Sequence, residues 1–395
     1  MRMSRFCGIA PVRFSRTRTT TFMFTSRTFY VYGIILNVIV NSICLYRIIL
    51  FIKMQILVDC KAKVYIDILL QVTDFVLTVG LMSNGVIGGI RRTKHFMHCI
   101  EEISKIKNNK CKQEDNSLRK PFVSLTVIFI FGMWLLRAID IIRYNQWANI
   151  DAYPNFVTYS VLIMMELQFM VIAMYIKSGF KAINENLRSI LASIRQENLE
   201  QDVKSSILKI PLNSINKAID LMGMTNQRYP DATIKKKIKL AHKIREISQS
   251  YVSVCSVLRE FNNSESTTIF YLLATLTVQL VIVFFSLLKT INAVEHDDSQ
   301  LWFLVIMQTI WLAHIITKII VLVEPCCRTE QEVANTRLLV GKVMCYVTSE
   351  VDPLRDELDA FYNHILLNDV SYTALGVLSL GRPLISKIIG GVTTV

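Results

Sequence analysis

A chain of 395 residues that is 52% hydrophobic and only 19% charged, yet carries a formal net charge of +13, does not have the composition of a water-soluble domain, in which about 25% of residues are charged. Its charges cluster between apolar runs of roughly 20 residues, the length that crosses a hydrocarbon core of about 30 Å as a helix. This excludes a nucleic-acid-binding protein, which needs a soluble basic domain with a groove-reading motif, and predicts an all-α, multispanning membrane protein.

Residues 1–28 carry Arg2, Arg5, Arg13, Arg16, Arg18 and Arg27 and no acid, which reads as a basic cytoplasmic tail, with an Arg- and Thr-rich mitochondrial presequence as the alternative. Transmembrane helices 1–4 occupy 29–176, with spans at about 29–52, 64–90, 122–143 and 156–176. The loop after the second span holds Arg91, Arg92, Lys94, Lys105, Lys107, Lys110, Lys112, Arg119 and Lys120; the loop NQWANIDAYP after the third has no Lys or Arg. Cytoplasmic loops are the ones enriched in Lys and Arg, so the N-terminus is placed inside, against the milder contrary signal of Lys53, Lys61 and Lys63.

The polar stretch 177–267 reads as a cytoplasmic helical anchor region. Phe180, Ile183, Leu187, Ile190 and Ile194 recur every three or four residues as one apolar stripe, and a second runs through Ile234, Ile238, Ile244 and Ile247. The second lies opposite Lys235, Lys236, Lys237 and Lys239, so a calmodulin target or an anionic-lipid surface is the alternative for 233–247. The acceptor pattern Asn262-Asn263-Ser264 falls on the cytoplasmic side and is expected to be unglycosylated.

Transmembrane helices 5–6 occupy 268–323, at 268–291 and 301–323, joined by the acidic loop NAVEHDDSQ. Residues 324–372 are expected to be further cytoplasmic anchor helices. Cys326-Cys327, just past a span, are packed as small hydrophobes or else palmitoylated. The segment 373–395 is the seventh span, entering from the cytoplasm.

Ionisable and amide groups inside spans are costly and mark cavities or partners. The second span carries Asp67, Gln71 and Asp74 on one helical face, and the third Arg137 and Asp140, one turn apart, which an intrahelical ion pair explains equally well. Glu166, Gln168, Gln279, Gln308, Trp311 and His314 follow on later spans, while Trp147 and Trp302 sit at interface depth. These groups share the outer half of the membrane and predict a polar cavity for a small organic ligand. The glycines Gly85, Gly88 and Gly89 read as close helix packing. With no HExxH, GxSxG or Walker-type loop, neither an enzyme, a metal nor a cofactor is expected.

The C-terminal FYNHILLNDVSYTALGVLSLGRPLISKIIGGVTTV resembles the corresponding region of insect gustatory receptors, through Gly376, Leu380, Arg382, Leu384, Ile385, Ile388-Ile389-Gly390 and Val392-Thr393-Thr394. Val395 stands where that family continues with tyrosine. Pro383 to Val395 gives about 20 Å of helix, so the pore helix is expected to be truncated, by a partial gene model or as an isoform.

The resemblance implies a plasma-membrane, multi-pass taste receptor gated by a small-molecule tastant, a homo- or heterotetramer of related subunits in the lipid bilayer. Its last helix would line a cation pore with Lys387, Ile388, Ile389, Val392, Thr393 and Thr394. A bitter or other plant compound is the favoured ligand, with sugar possible. A G-protein-coupled-type receptor and a secondary transporter are the alternatives.

Overall fold

The computed structural model describes residues 12–16, 21–58, 62–106, 132, 135, 152–208, 229–293, 299–347, 353–368 and 370–394. The expected third span, 122–143, with Arg137 and Asp140, lies outside the described residues apart from 132 and 135.

The apolar runs fold as helices: α1 (Arg27–Val58), α2 (Ala62–Ile87), α3 (Gly89–Ile106), α4 (Ala152–Leu208), α5 (Tyr229–Ala293) and α6 (Ser299–Tyr346). Stretches long and apolar enough to cross a membrane, Arg27–Leu50, Ile68–Ile87, Ser160–Leu199, Lys235–Asn292 and Leu301–Tyr346, take in the predicted first, second, fourth, fifth and sixth spans, three of them running on into predicted anchor segments. Helices α4, α5 and α6 run for 57, 65 and 48 residues, roughly 85, 97 and 72 Å at about 1.5 Å per residue. Each is longer than a bilayer core of about 30 Å, so a large part of each stands beyond it. α7 (Pro353–Leu367) and α8 (Arg382–Thr394) complete the helices described.

Paired side chains fix the register. Glu166–Lys318, Asn184–Glu332 and Asn184–Thr336 join α4 to α6 at sequence offsets of 148 to 152, so the two helices run parallel. Asn84–Thr268, Arg92–Glu265 and Glu102–Ser253 join α2 and then α3 to α5 in the opposite direction. α7 lies parallel to the lower part of α5, through Arg245–Glu357 at 4.0 Å and Arg259–Asn368 at 3.1 Å.

α2 and α3 are one helical track, separated only by a turn at Gly88. The carbonyl of Asn84 accepts both the Gly88 amide at 3.0 Å and Arg92 Nη2 at 3.0 Å. A Cβ at Gly88 would lie 2.9 Å from that carbonyl oxygen. Gly85 also permits close packing, since a Cβ there would meet Met165 Sδ at 2.8 Å.

The stripe Phe180, Ile183, Leu187, Ile190 and Ile194 is buried throughout. Tyr251 of α5 packs edge-on between Phe180 and Phe361, with ring centroids 5.7 Å from each. From the second stripe Ile244 and Ile247 are buried but Ile238 is exposed; the side chain of Ile234 lies outside the described set. The stripe joins the core only once α5 has met its neighbours.

Two hairpins depart from expectation. In the presumed tail, β1 (Val12–Arg16) pairs antiparallel with β2 (Thr21–Thr25), Phe14 opposite Met23. The charge count masked a two-residue alternation, Val-Arg-Phe-Ser, that suits strands. In the seventh segment, 373–395, the part ahead of the helix expected from Pro383 is a hairpin: β3 (Thr373–Ala374) pairs with β4 (Leu378–Ser379) around Leu375 and Gly376, at φ 53° and 71°. Left-handed backbone breaks a helix and suits glycine, so α8 starts only at Arg382.

Candidate functional site

The polar groups of the spans meet around α5. Asp74 of α2 accepts a hydrogen bond from Gln279. Gln308 of α6 donates through Nε2 to Ser286 Oγ at 2.8 Å. Gln279 and Ser286 are seven residues apart and share one face of α5, about 10 Å apart along its axis. Asp74 Oδ1 and Gln308 Oε1 are buried and accept no hydrogen bond from the described residues. Toward the other end of α2, Asn37 and Asn41 of α1 both donate to Ser83 Oγ, at 3.4 Å.

Glu166 has a partner that the sequence reading missed. Lys318 Nζ of α6 lies 3.0 Å from Glu166 Oε1, with side chains 2% and 15% exposed. Lys318 is the only Lys or Arg in the sixth span, and Glu166 is the only acid in the fourth; opposite lone charges on two apolar helices were the available signal. Trp311 and His314 meet edge-on at 5.8 Å, and His314 is one turn from Lys318 on the same face of α6. Gln168, two residues from Glu166, points to a different side of α4 and does not join this set. The side chains of Asp67 and Gln71 lie outside the described residues.

Nearest the last helix, α8 packs Leu384, Ile385 and Ile388 against the core. Val392, expected among pore-facing residues, is 6% exposed and turns inward into the protein's own core, whereas Lys387 is exposed and Ile389 half-buried. The four-residue step from Ile388 to Val392 keeps both on the inward side. The side chains of Thr393 and Thr394 lie outside the described set. Palmitoylation at Cys326 is contradicted by its complete burial, and the Cys327 thiol points at the Leu380 carbonyl, 3.7 Å away.

Outside the spans, burial chiefly and then the charge of Glu260 push the Cys99 thiol up to about 12. Burial likewise raises Tyr372 well above the usual phenol range. α3, which carries Cys99, also carries His95, whose Nδ1 lies 2.6 Å from Glu260 Oε1, tying α3 to α5.

These features define an all-α membrane protein whose spans hold one another through buried polar contacts. The family described as 7tm Chemosensory receptor matches residues 1–395, and the chain belongs to that family, one of receptors rather than enzymes. It is 21% identical over 344 residues to "Gustatory receptor for sugar taste 43a" of Drosophila melanogaster, covering 81% of this chain and 78% of that protein. It is 24% identical over 286 residues to "Putative gustatory receptor 28a" of the same fly, covering 66% and 60%. Its fold is similar to that of the insect olfactory receptor OR5 from Machilis hrabei, solved in complex with eugenol, with a TM-score of 0.60 at 10% identity over 99% of this chain and 94% of that one.

Proposed function

We propose that the protein is a gustatory receptor subunit acting as a ligand-gated, non-selective cation channel of the plasma membrane, tetrameric with itself or with related subunits. The observation that carries this reading is the pair of contacts on one face of α5, Asp74–Gln279 and Gln308–Ser286, each with a buried acceptor oxygen unused. A small organic ligand that donates hydrogen bonds suits such a site, and its preference for one arrangement of the spans shifts the population towards the open state. The side chains assigned to the ligand are Asp67, Gln71, Asp74, Gln279, Gln308, Trp311 and His314; the Glu166–Lys318 pair braces the spans beneath them. Lys387, Ile389, Thr393 and Thr394 of α8 are assigned to the pore.

The ligand is a bitter or other plant compound. Sugar is the second reading, favoured by the sugar-taste relative. Calcium imaging of the full chain against sugars, alkaloids and glycosides tests the ligand class. Asp74→Ala and Gln308→Ala should shift the dose–response curve without lowering surface expression; unchanged curves for both would remove the site. Whole-cell currents evoked by ligand in cells expressing this chain separate a channel from a transporter or a G-protein-coupled receptor.

A further inference from the structure

The junction where α4 and α6 leave their apolar runs and α8 begins gathers exposed guanidinium groups of two helices beside one carboxylate, with Glu330 a further acid close to Cys327. Glu324 of α6 accepts from Arg328 Nε at 2.8 Å, and Arg382 Nη2, on the first residue of α8, approaches the same carboxylate oxygen at 3.7 Å. The charges of Arg328, Glu332, Lys181 and Glu324 act together on the Lys177 ammonium of α4. Lys181 pairs with Glu185 at 3.5 Å, and Glu332 accepts from Asn184 at 2.8 Å. Arg328 and Arg382 are therefore gathered about one carboxylate, Glu324, with Lys177 in the field of both Glu332 and Glu324. Both guanidinium groups face outward, with side chains 56% and 71% exposed.

These cations share one level. The α4–α6 offsets of 148 to 152 set Lys177 beside residues 325–329 of α6. The apolar runs also end here, at Ile176 on α4 and Val323 on α6. An exposed stripe on α6 leads into the cluster through Ile310, Ala313, Thr317 and Val321, steps of three and four residues that continue to Glu324 and Arg328. It passes from apolar Val321 through Glu324 to cationic Arg328 over seven residues, about two turns.

We propose that this junction binds an anionic phospholipid, its headgroup phosphate held by Arg328, Arg382 and Lys177 and its acyl chain laid along the α6 stripe. Guanidinium groups take phosphate oxygens in paired, charge-assisted hydrogen bonds, and basic clusters at a membrane boundary attract anionic headgroups. Glu324 competes with the phosphate for both arginines. The lipid thereby bridges α6 to the start of α8. A free phosphate would satisfy the cations but leave the stripe unused, which is why the lipid is the occupant.

The test uses the full chain in phosphatidylcholine nanodiscs, titrated with fluorescent phosphatidylinositol 4,5-bisphosphate. Saturable binding is expected. Arg328→Gln and Arg382→Gln should each weaken it about fivefold, and Glu324→Gln should tighten it by about the same factor. Opposite signs from neighbouring substitutions separate a lost binding site from a lost fold. The proposal is overturned by unaltered binding in both arginine variants, by weaker binding in Glu324→Gln, or by binding no tighter than that of fluorescent phosphatidylcholine. Displacement of the lipid by an equal concentration of soluble inositol trisphosphate overturns it as well, because the acyl stripe would then contribute nothing.

Discussion

Lys318 is buried between apolar helices with its charge answered by Glu166 at 3.0 Å. Two charges removed from water lose several kcal/mol of hydration each, and their attraction in the low-dielectric interior offsets most of that only while both are present. Lys318→Met should therefore destabilise the protein by about 3–5 kcal/mol, whereas Lys318→Met combined with Glu166→Leu should return close to the parent stability. Thermal unfolding in detergent, compared among the single variants and the double, checks this; equal losses in the single and double variants would show that the pair is not coupled. Cysteine reactivity gives a second prediction at this scale. Alkylation requires the thiolate, and with its thiol pushed up to about 12 buried Cys99 should stay unmodified by iodoacetamide at pH 8. Exposed Cys345 should react under the same conditions, with peptide mass mapping as the readout.

Among the elements, the β3–β4 hairpin sets where the last helix begins, and one side chain of α5 holds it. Asn262 donates through Nδ2 to Thr373 Oγ1 at 2.9 Å and accepts from the Thr373 amide at 3.0 Å. Asn262→Ala leaves both Thr373 groups without these partners, at a cost of about 1–3 kcal/mol, and should speed hydrogen exchange at the Thr373 amide while exchange in the α5 core stays slow. This hairpin also shows where the sequence stops being informative. Periodicity marked the long helices because a 3.6-residue stripe such as Phe180 to Ile194 must be buried to be stable. A two-residue strand offers no period, and the left-handed pair Leu375 and Gly376 sits in an apolar string that reads as a span. The candidate site was legible to the same degree. Asp74, Gln279 and Gln308 stood out as polar residues in apolar runs, but Ser286 and Ser83 did not, because serine in a helix ordinarily bonds its own backbone. Lys318 was passed over although it is the lone cation of its span, since its meaning depends on an acid 152 residues away.

For the whole molecule, the paired registers constrain which ends lie together. α4 and α6 run parallel and α5 runs against both, so the C-terminal ends of α4 and α6 and the N-terminal part of α5 emerge on one side. That side carries Lys235, Lys236, Lys237, Lys239 and Lys243, with Lys236 Nζ 3.2 Å from Glu197 of α4. The basic loop after the second span continues into α3, which ties to this same part of α5 through Glu102 and Ser253. Lys and Arg mark the cytoplasmic side, so the assignment for one loop fixes the side for all these ends together. On that assignment Cys345, exposed near the end of α6, is predicted to face the cytoplasm. A membrane-impermeant maleimide applied to intact cells should leave the Cys345 peptide unlabelled and should label it after permeabilisation. Labelling before permeabilisation would invert α2 to α6 together, because Asn84–Thr268 and Arg92–Glu265 tie α2 and α3 to α5, Lys236–Glu197 ties α5 to α4, and Glu166–Lys318 ties α4 to α6.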